Sequence, residues 1–328
     1  MPPSLNIGVV GLGVMGHRML ERLQSHPRLK ATVVWDTNPD SCARVLQLHP
    51  QLRSTATAEQ LVATPGLHGL YIATPPAAHM RLSALAFDAG LAVLCEKPLT
   101  IDFDAARRLV RRIADEKLRA AVNFSLASSH GLDCLQHNFG AASSQPMGAL
   151  REVRIDLGFS GWPRPWQMAA GPWLSERAEG GFTREVLSHF IFVLQRVLGP
   201  AAVWSSKPTY PPDGHGAETA LEAELRVDAV PVWVTGRVDA AIAVADRNRM
   251  VWRAQRGVLT VRDWYGVTGQ RNGGTEEALG EPDVLRARAQ ADQLDQWAAM
   301  IEGRSHLLPG FDEALVVQQT IESLLRLG

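Results

Sequence analysis

Cysteine is scarce: the 328 residues contain three, at Cys42, Cys95 and Cys134. An odd, scattered set without short pairings excludes a disulfide framework and a redox dithiol, and all three are expected to be reduced fillers. The ten histidines show no HxH or HExxH spacing, so no metal site is expected. No 18 apolar residues run together, which argues against a membrane span. The opening MPPSLNIGVV lacks the charged, apolar and small-residue regions of a secretory leader, and a cytoplasmic location is expected. Charge of one sign is also missing, with a formal net charge of -1. The densest basic cluster, Arg107, Arg108, Arg111 and Arg112, has helical spacing among Leu109, Val110 and Ile113. It reads as a solvated helix face, and no nucleic-acid partner is expected.

What is present suits a globular chain of two domains, with 46% hydrophobic and 20% charged residues. Up to residue 123, short β-branched runs alternate with helical patterns, the signature of a parallel sheet wound by crossovers. The expected strands are 6–10, 31–35, 69–73, 91–95 and 119–123, each apolar on both faces. The expected helices are 15–24, 41–49, 77–89 and 102–117, stopped by Pro27, Pro50 and Gly90 or begun after a Thr100 cap. Beyond residue 123 the rhythm changes. A helix with a loop at 131–147, a strand at 150–159 and a helix at 182–198 lead into alternating runs at 201–207, 217–227, 231–239, 248–254 and 257–263. Strand after strand favours an antiparallel sheet. The predicted fold class is α/β, a doubly wound Rossmann domain over 1–123 followed by an α+β domain over 124–310. Helical patterns at 283–302 and 311–327 close the chain, and the last could pack back on the first domain.

Gly11, Gly13 and Gly16 form GLGVMG directly after the first strand and before the first helix. In that context Gly11 makes the tight turn, Gly13 lets the backbone approach a pyrophosphate and Gly16 lets helix and strand pack closely. Leu12, Val14 and Met15 belong to the same anion-binding turn, where helix N–H groups are free. Asp36 ends the second strand twenty residues beyond Gly16, where an acid binds the adenosine ribose. Thr37 and Asn38 follow with no arginine for a 2′-phosphate, so NAD is preferred over NADP. The plainer alternative is that Asp36 only begins the DTNPD turn. In IATPPAAH, Thr74, Pro75 and His79 leave the third strand where a dinucleotide passes, and are expected to contact it or else to start a helix.

The strand LAVLC runs into Glu96, Lys97 and Pro98. A lysine at the carboxyl end of a parallel strand faces the cleft, and Pro98 stiffens the backbone that presents it. Its ammonium can stabilise negative charge on a carbinol or carbonyl oxygen. Glu96 and Lys97 are also expected beside the cofactor.

With GLGVMG, Asp36, IATPPAAH and CEKPLT, the chain resembles the Gfo/Idh/MocA family of glucose-fructose oxidoreductase, inositol dehydrogenase and rhizopine catabolism proteins. MGALREVRI and PGFDEALVVQQTIESLL extend the resemblance into the second half. It implies a second domain whose mostly antiparallel sheet has an open face, often used for a homo-oligomer such as a dimer or tetramer. The family's second signature appears as GGFTREVLSH, with Gly180, Gly181 and His189 in place and Glu185 where an aspartate is usual. At i and i+4, Glu185 and His189 share a helix face, so the carboxylate can orient an imidazole. His189 is then the expected general base, supported by Glu185. Phe192 stands where the family has a second acid, and VNFSLASSH lacks the usual arginine and proline.

Arg184 and Trp166 complete the expected substrate contacts, with Lys97 and His189. Trp162, Trp166 and Trp173 crowd the loop WPRPWQMAAGPW and either face a sugar ring or pin the loop to a core. The expected activity is hydride transfer between a nicotinamide and a secondary alcohol or ketone of a sugar, cyclitol or related polyol. Two alternatives share the fold: a non-catalytic NAD(P)-dependent sensor, and a glycoside hydrolase using tightly held NAD.

Overall fold

The computed structural model describes residues 3–326. The chain divides into two compact units, 1–124 with 290–315, and 125–289 with 316–328.

In the first unit, strands β1 (Leu5–Val10), β2 (Leu29–Trp35), β3 (Arg53–Ser54), β4 (Gly69–Ile72), β5 (Ala92–Glu96) and β6 (Ala120–Asn123) form one parallel sheet in the order β3-β2-β1-β4-β5-β6. This is the doubly wound order of a dinucleotide-binding domain, with its switch point between β1 and β4. The helices are α1 (Val14–Ser25), α2 (Pro39–Leu48), α3 (Ala58–Val62), α4 (His79–Asp88) and α5 (Phe103–Glu116). Caps fix several starts: Asn38 accepts the Asp40 amide, Thr57 that of Gln60, and Asp102 that of Ala105. Thr100, the expected cap of α5, instead accepts the amide of Asp102, so the helix begins one step later. The two short elements β3 and α3 escape prediction because neither is long enough to display a period.

The second unit holds α6 (His130–Phe139), strand β7 (Leu150–Phe159), helix α7 (Ser188–Leu198) and strands β8 (Ala202–Thr209), β9 (Ala220–Val227), β10 (Val230–Val238), β11 (Asp246–Ala254), β12 (Gly257–Arg262), β13 (Gly266–Arg271) and β14 (Glu277–Ala278). The sheet order is β14-β13-β12-β11-β7-β10-β9-β8, antiparallel except where β10 lies parallel to β7. Alternation sets its faces. In β9 and β10, Leu221, Leu225, Val232 and Val234 are buried while Glu222, Arg226, Trp233 and Arg237 point outward. Helix α7 is apolar nearly all round and almost wholly buried, as such a helix must be.

Two final helices, α8 (Pro282–Ile301) and α9 (Phe311–Arg326), correct the expected domain limits. Residues 290–310, expected in the second domain, belong to the first unit. Leu294, Trp297, Ala298, Met300, Ile301 and Leu308 complete its core, with Trp297 fully buried 6.1 Å from the Tyr71 ring. Most of α9 lies with the second unit, where Glu322 and Thr320 are bonded to Arg184 and Gln195. Only its start returns to the first unit, with Phe311 packed 6.4 Å from Phe87.

Candidate functional site

The turn from β1 to α1 is built by three glycines for three different reasons. Gly11 has φ of +87°, and a Cβ there would overlap the backbone of Ala73 and Thr74. A Cβ on Gly16 would overlap the carbonyl oxygen of Gly11, so helix and strand could not close together. Gly13 alone faces open space, with nothing within 4 Å of where its Cβ would stand. Helix α1 has no side-chain cap and no acid in its first turn, leaving its leading amides and positive end for an anion. Val14 and Met15, partly exposed, stand at this end.

Asp36 locks the turn. Its Oδ2 accepts the Leu12 amide at 2.6 Å and its Oδ1 the Asn38 amide at 2.8 Å. Leu12, expected at a cofactor, has its amide taken by Asp36 and its side chain buried. Thr37 is exposed beside Asp36, and Thr74 with Pro75 follows β4 against Gly11. The Thr74 hydroxyl is buried and has no partner.

His79 is wholly buried, with Nε2 2.8 Å from the Thr74 carbonyl and Nδ1 3.2 Å from that of Leu99. It starts α4 and joins the loops after β4 and β5 instead of facing a ligand. Burial holds the imidazole below its ordinary range despite both carbonyls.

Lys97 follows β5, partly exposed, at the same carboxyl-end edge of the sheet as the glycine turn. Its neighbour Glu96 turns inward: Tyr71 donates to its carboxylate, and Asn123 Nδ2 donates to the same oxygen at 2.5 Å. The carboxylate of Glu96, a residue expected beside the cofactor, thus belongs to a buried network joining β4, β5 and β6.

In the second unit, the segment expected to be a regular helix from residue 182 starts as a π-helical turn, Thr183–Leu187, before α7. Such turns recur at functional sites. Gly181, at φ of +98°, leaves room for the Glu218 carboxylate, which accepts the Thr183 amide at 2.7 Å. Glu218 is 1% exposed, and burial raises its pKa above the ordinary carboxyl value. Glu185 and His189, on the π turn and the first turn of α7, are both buried. Trp264 meets the His189 ring edge-on at 5.1 Å and 82°.

Arg184, expected at the substrate, is engaged by protein groups. Its guanidinium donates to both carboxylate oxygens of Glu322, at 2.7 and 2.9 Å, and to the carbonyls of Arg177 and Gly180. It anchors α9 to the π-helical turn.

Trp162 donates to the Leu174 carbonyl at 2.9 Å and packs on Phe159 and Phe182, pinning its loop to the core. Trp166 remains 39% exposed beneath the Arg164 guanidinium, 4.6 Å from its ring. Arg164 itself pairs with Asp246 at 2.5 Å. Sequence reading missed Arg164, Glu218 and Trp264, whose partners are remote in the chain.

Residues 5–124 match the model of an oxidoreductase family with an NAD-binding Rossmann fold. That family is the Gfo/Idh/MocA family, and the match covers a little over a third of the chain. An oxidoreductase of Synechocystis sp. is 25% identical over 203 residues, covering 61% of this chain and 53% of that protein. The inositol 2-dehydrogenase of Mycolicibacterium smegmatis is 33% identical over 117 residues, 35% of this chain and 34% of that enzyme. The chain thus matches about half the length of the first relative and a third of the second. Over the whole chain the likeness is one of fold. An Agrobacterium radiobacter oxidoreductase, solved with NAD+, L-tartaric acid and magnesium, has a TM-score of 0.80 at 14% identity, covering 97% of this chain and 94% of that one. GenD2 from gentamicin A biosynthesis, solved with NAD, has a TM-score of 0.80 at 21% identity, covering 99% and 94%. Among the described residues, no helix is long and apolar enough to cross a membrane, and no cluster of His, Cys, Asp and Glu could hold a metal ion.

Proposed function

We propose that the protein is a nicotinamide-dependent dehydrogenase acting on a secondary alcohol, or the matching ketone, of a sugar, cyclitol or related polyol. The single observation that carries this reading is the glycine turn locked by Asp36: a cradle open at Gly13, an uncapped helix end, and an orphaned Thr74 hydroxyl. These groups fit a dinucleotide. The α1 amides would hold the pyrophosphate, Thr74 would bond along its length, and Asp36 would accept from the adenosine ribose. A carboxylate has about four acceptor sites, so its two amide bonds leave capacity for the ribose. Its charge opposes a 2′-phosphate, which favours NAD over NADP.

When bound, the nicotinamide supplies the hydride acceptor or donor. Lys97 holds the substrate oxygen and stabilises its developing negative charge. His189 takes the hydroxyl proton as the carbon-hydrogen bond gives up its electron pair, and returns it in the reverse direction. Glu185 orients that imidazole. The inositol 2-dehydrogenase names among the relatives support a polyol substrate. Exposed Trp204 and Trp233 on the outward sheet face support self-association there, as a dimer or tetramer. A cytoplasmic location accords with three cysteines outside any disulfide.

Sugars, cyclitols and their acids screened with NAD and NADP at the reduced-nicotinamide absorbance band test the reading. Reduction of NAD by a polyol is expected. Dinucleotide binding without turnover of any polyol would point to a sensor, and glycoside cleavage without net NADH to a hydrolase.

A further inference from the structure

The turn joining β12 to β13 contains two successive residues in the left-handed region, Asp263 at φ of 48° and Trp264 at φ of 72°. Hairpin turns that need this backbone are normally filled by asparagine and glycine, which adopt it without steric cost. A bulky indole there is a conformational outlier, tolerated only where the surroundings over-determine it. Buried Asn248 supplies that constraint. Its backbone carbonyl accepts the Asp263 amide at 2.9 Å, and its side-chain oxygen accepts the Trp264 amide at 2.9 Å.

The constrained backbone delivers the indole to one place. Its ring lies 5.1 Å from the His189 imidazole at 82° and 5.8 Å from the Phe190 ring at 38°. The Arg164 guanidinium stands 5.9 Å from the same indole. An imidazole turns about a torsion with broad, roughly two-fold preference, so its helix backbone alone does not fix which nitrogen faces a substrate. A perpendicular ring in contact resists that rotation, because turning the imidazole drives it into the indole or opens a gap.

We propose that Trp264 is a positioning residue that fixes the plane of the His189 imidazole for proton transfer, with Asn248 holding it in its unfavourable backbone conformation. This rests on the assignment of His189 as the proton-transfer group. Trp264 itself exchanges no proton.

The test compares Trp264→Phe, Trp264→Gly and His189→Gln in the full-length protein with the best substrate from the polyol screen. Glycine suits the left-handed backbone but removes the ring, whereas phenylalanine keeps a ring. Trp264→Gly is expected to lower kcat about tenfold or more with KM changed less than about twofold, and Trp264→Phe to retain most of kcat. Nitrogen NMR of histidine-labelled protein gives a readout independent of turnover, with His189 identified by its loss in His189→Gln. One ring-nitrogen pattern is expected in the parent and Trp264→Phe, and exchange-averaged signals in Trp264→Gly. Wild-type kcat together with an unchanged His189 spectrum in Trp264→Gly would overturn the inference. Full activity of His189→Gln would instead remove the assignment of His189 on which it rests. If Trp264→Gly does not fold, Trp264→Ala, which removes the ring and its bulk, carries the same comparison and the same overturning result.

Discussion

Asp36 reaches back across the head of the sheet to accept the Leu12 amide at 2.6 Å, so the acid proposed to read the ribose also sets the shape of the loop proposed to hold the phosphates. One carboxylate thereby couples two ends of the same ligand. Asp36→Ala is expected to weaken NAD binding by about tenfold to a hundredfold, the loss of charge-assisted hydrogen bonds. NADP binding should fall less, narrowing the preference. Titration of both dinucleotides by fluorescence checks this, and an unchanged ratio would separate Asp36 from cofactor choice.

The glycines should divide cleanly when each is replaced by alanine. Gly16→Ala forces a methyl onto the Gly11 carbonyl and is expected to cost about 1–3 kcal/mol of stability in a denaturant melt. Gly13→Ala meets nothing in the protein and should melt normally while losing NAD affinity by on the order of tenfold. Normal binding by Gly13→Ala would mean that the open space beside it is not the phosphate cradle.

Lys97→Met keeps length and apolar bulk while removing the ammonium. Turnover should fall about a hundredfold to a thousandfold, as for removal of a group that stabilises a developing oxyanion. NADH titration should stay within about threefold of the parent. Turnover close to the parent's would exclude Lys97 from the chemistry.

Glu322→Ala would strand the buried Arg184 guanidinium beside the Arg177 and Gly180 carbonyls. Leaving such a charge without its carboxylate is expected to cost about 3–5 kcal/mol, measured by urea unfolding. Dinucleotide affinity should not change. A loss below about 1 kcal/mol would show that water reaches Arg184 and screens it.

Burial raises the pKa of Glu218 in the folded protein above the usual 4.5, against the Thr183 bonds that lower it. The folded state therefore binds this proton more tightly than the unfolded chain. The resulting stabilisation is complete below pH 4.5 and is lost as pH rises through the raised folded-state value. Glu218→Gln retains an acceptor for Thr183 and does not titrate, so its stability between about pH 4 and 7 should decline less than that of the parent. Parallel declines in urea melts across that range would contradict the assignment.

Much of the first unit was legible because its signals are local. GLGVMG, Asp36 and Lys97 each sit at the end of a short apolar run, and the parallel order follows from the alternation of runs and helices. The strand at 150–159 could be placed for the same reason. What stayed hidden depends on residues far apart in sequence. Arg184 reads as a substrate contact beside Glu185 until Glu322, 138 residues later, accepts from its Nε and Nη2. Glu96 reads as a cleft acid until Tyr71 and Asn123 enclose it. Trp264 has no sequence mark, because nothing in a turn of Asp and Trp announces Asn248 or His189. Likewise α8 shows its period but not which core it completes.

The division of α8 has a consequence for how this chain can be cut. A fragment ending where the family match ends, at residue 124, would leave Tyr71 and its neighbours without Trp297, Leu294 and Ile301 and present a raw apolar wound to solvent. Such a piece should clump instead of folding. The first unit, continuous in sequence up to residue 124, becomes whole only after synthesis has passed residue 315, so its sheet must wait for a segment made about 190 residues later.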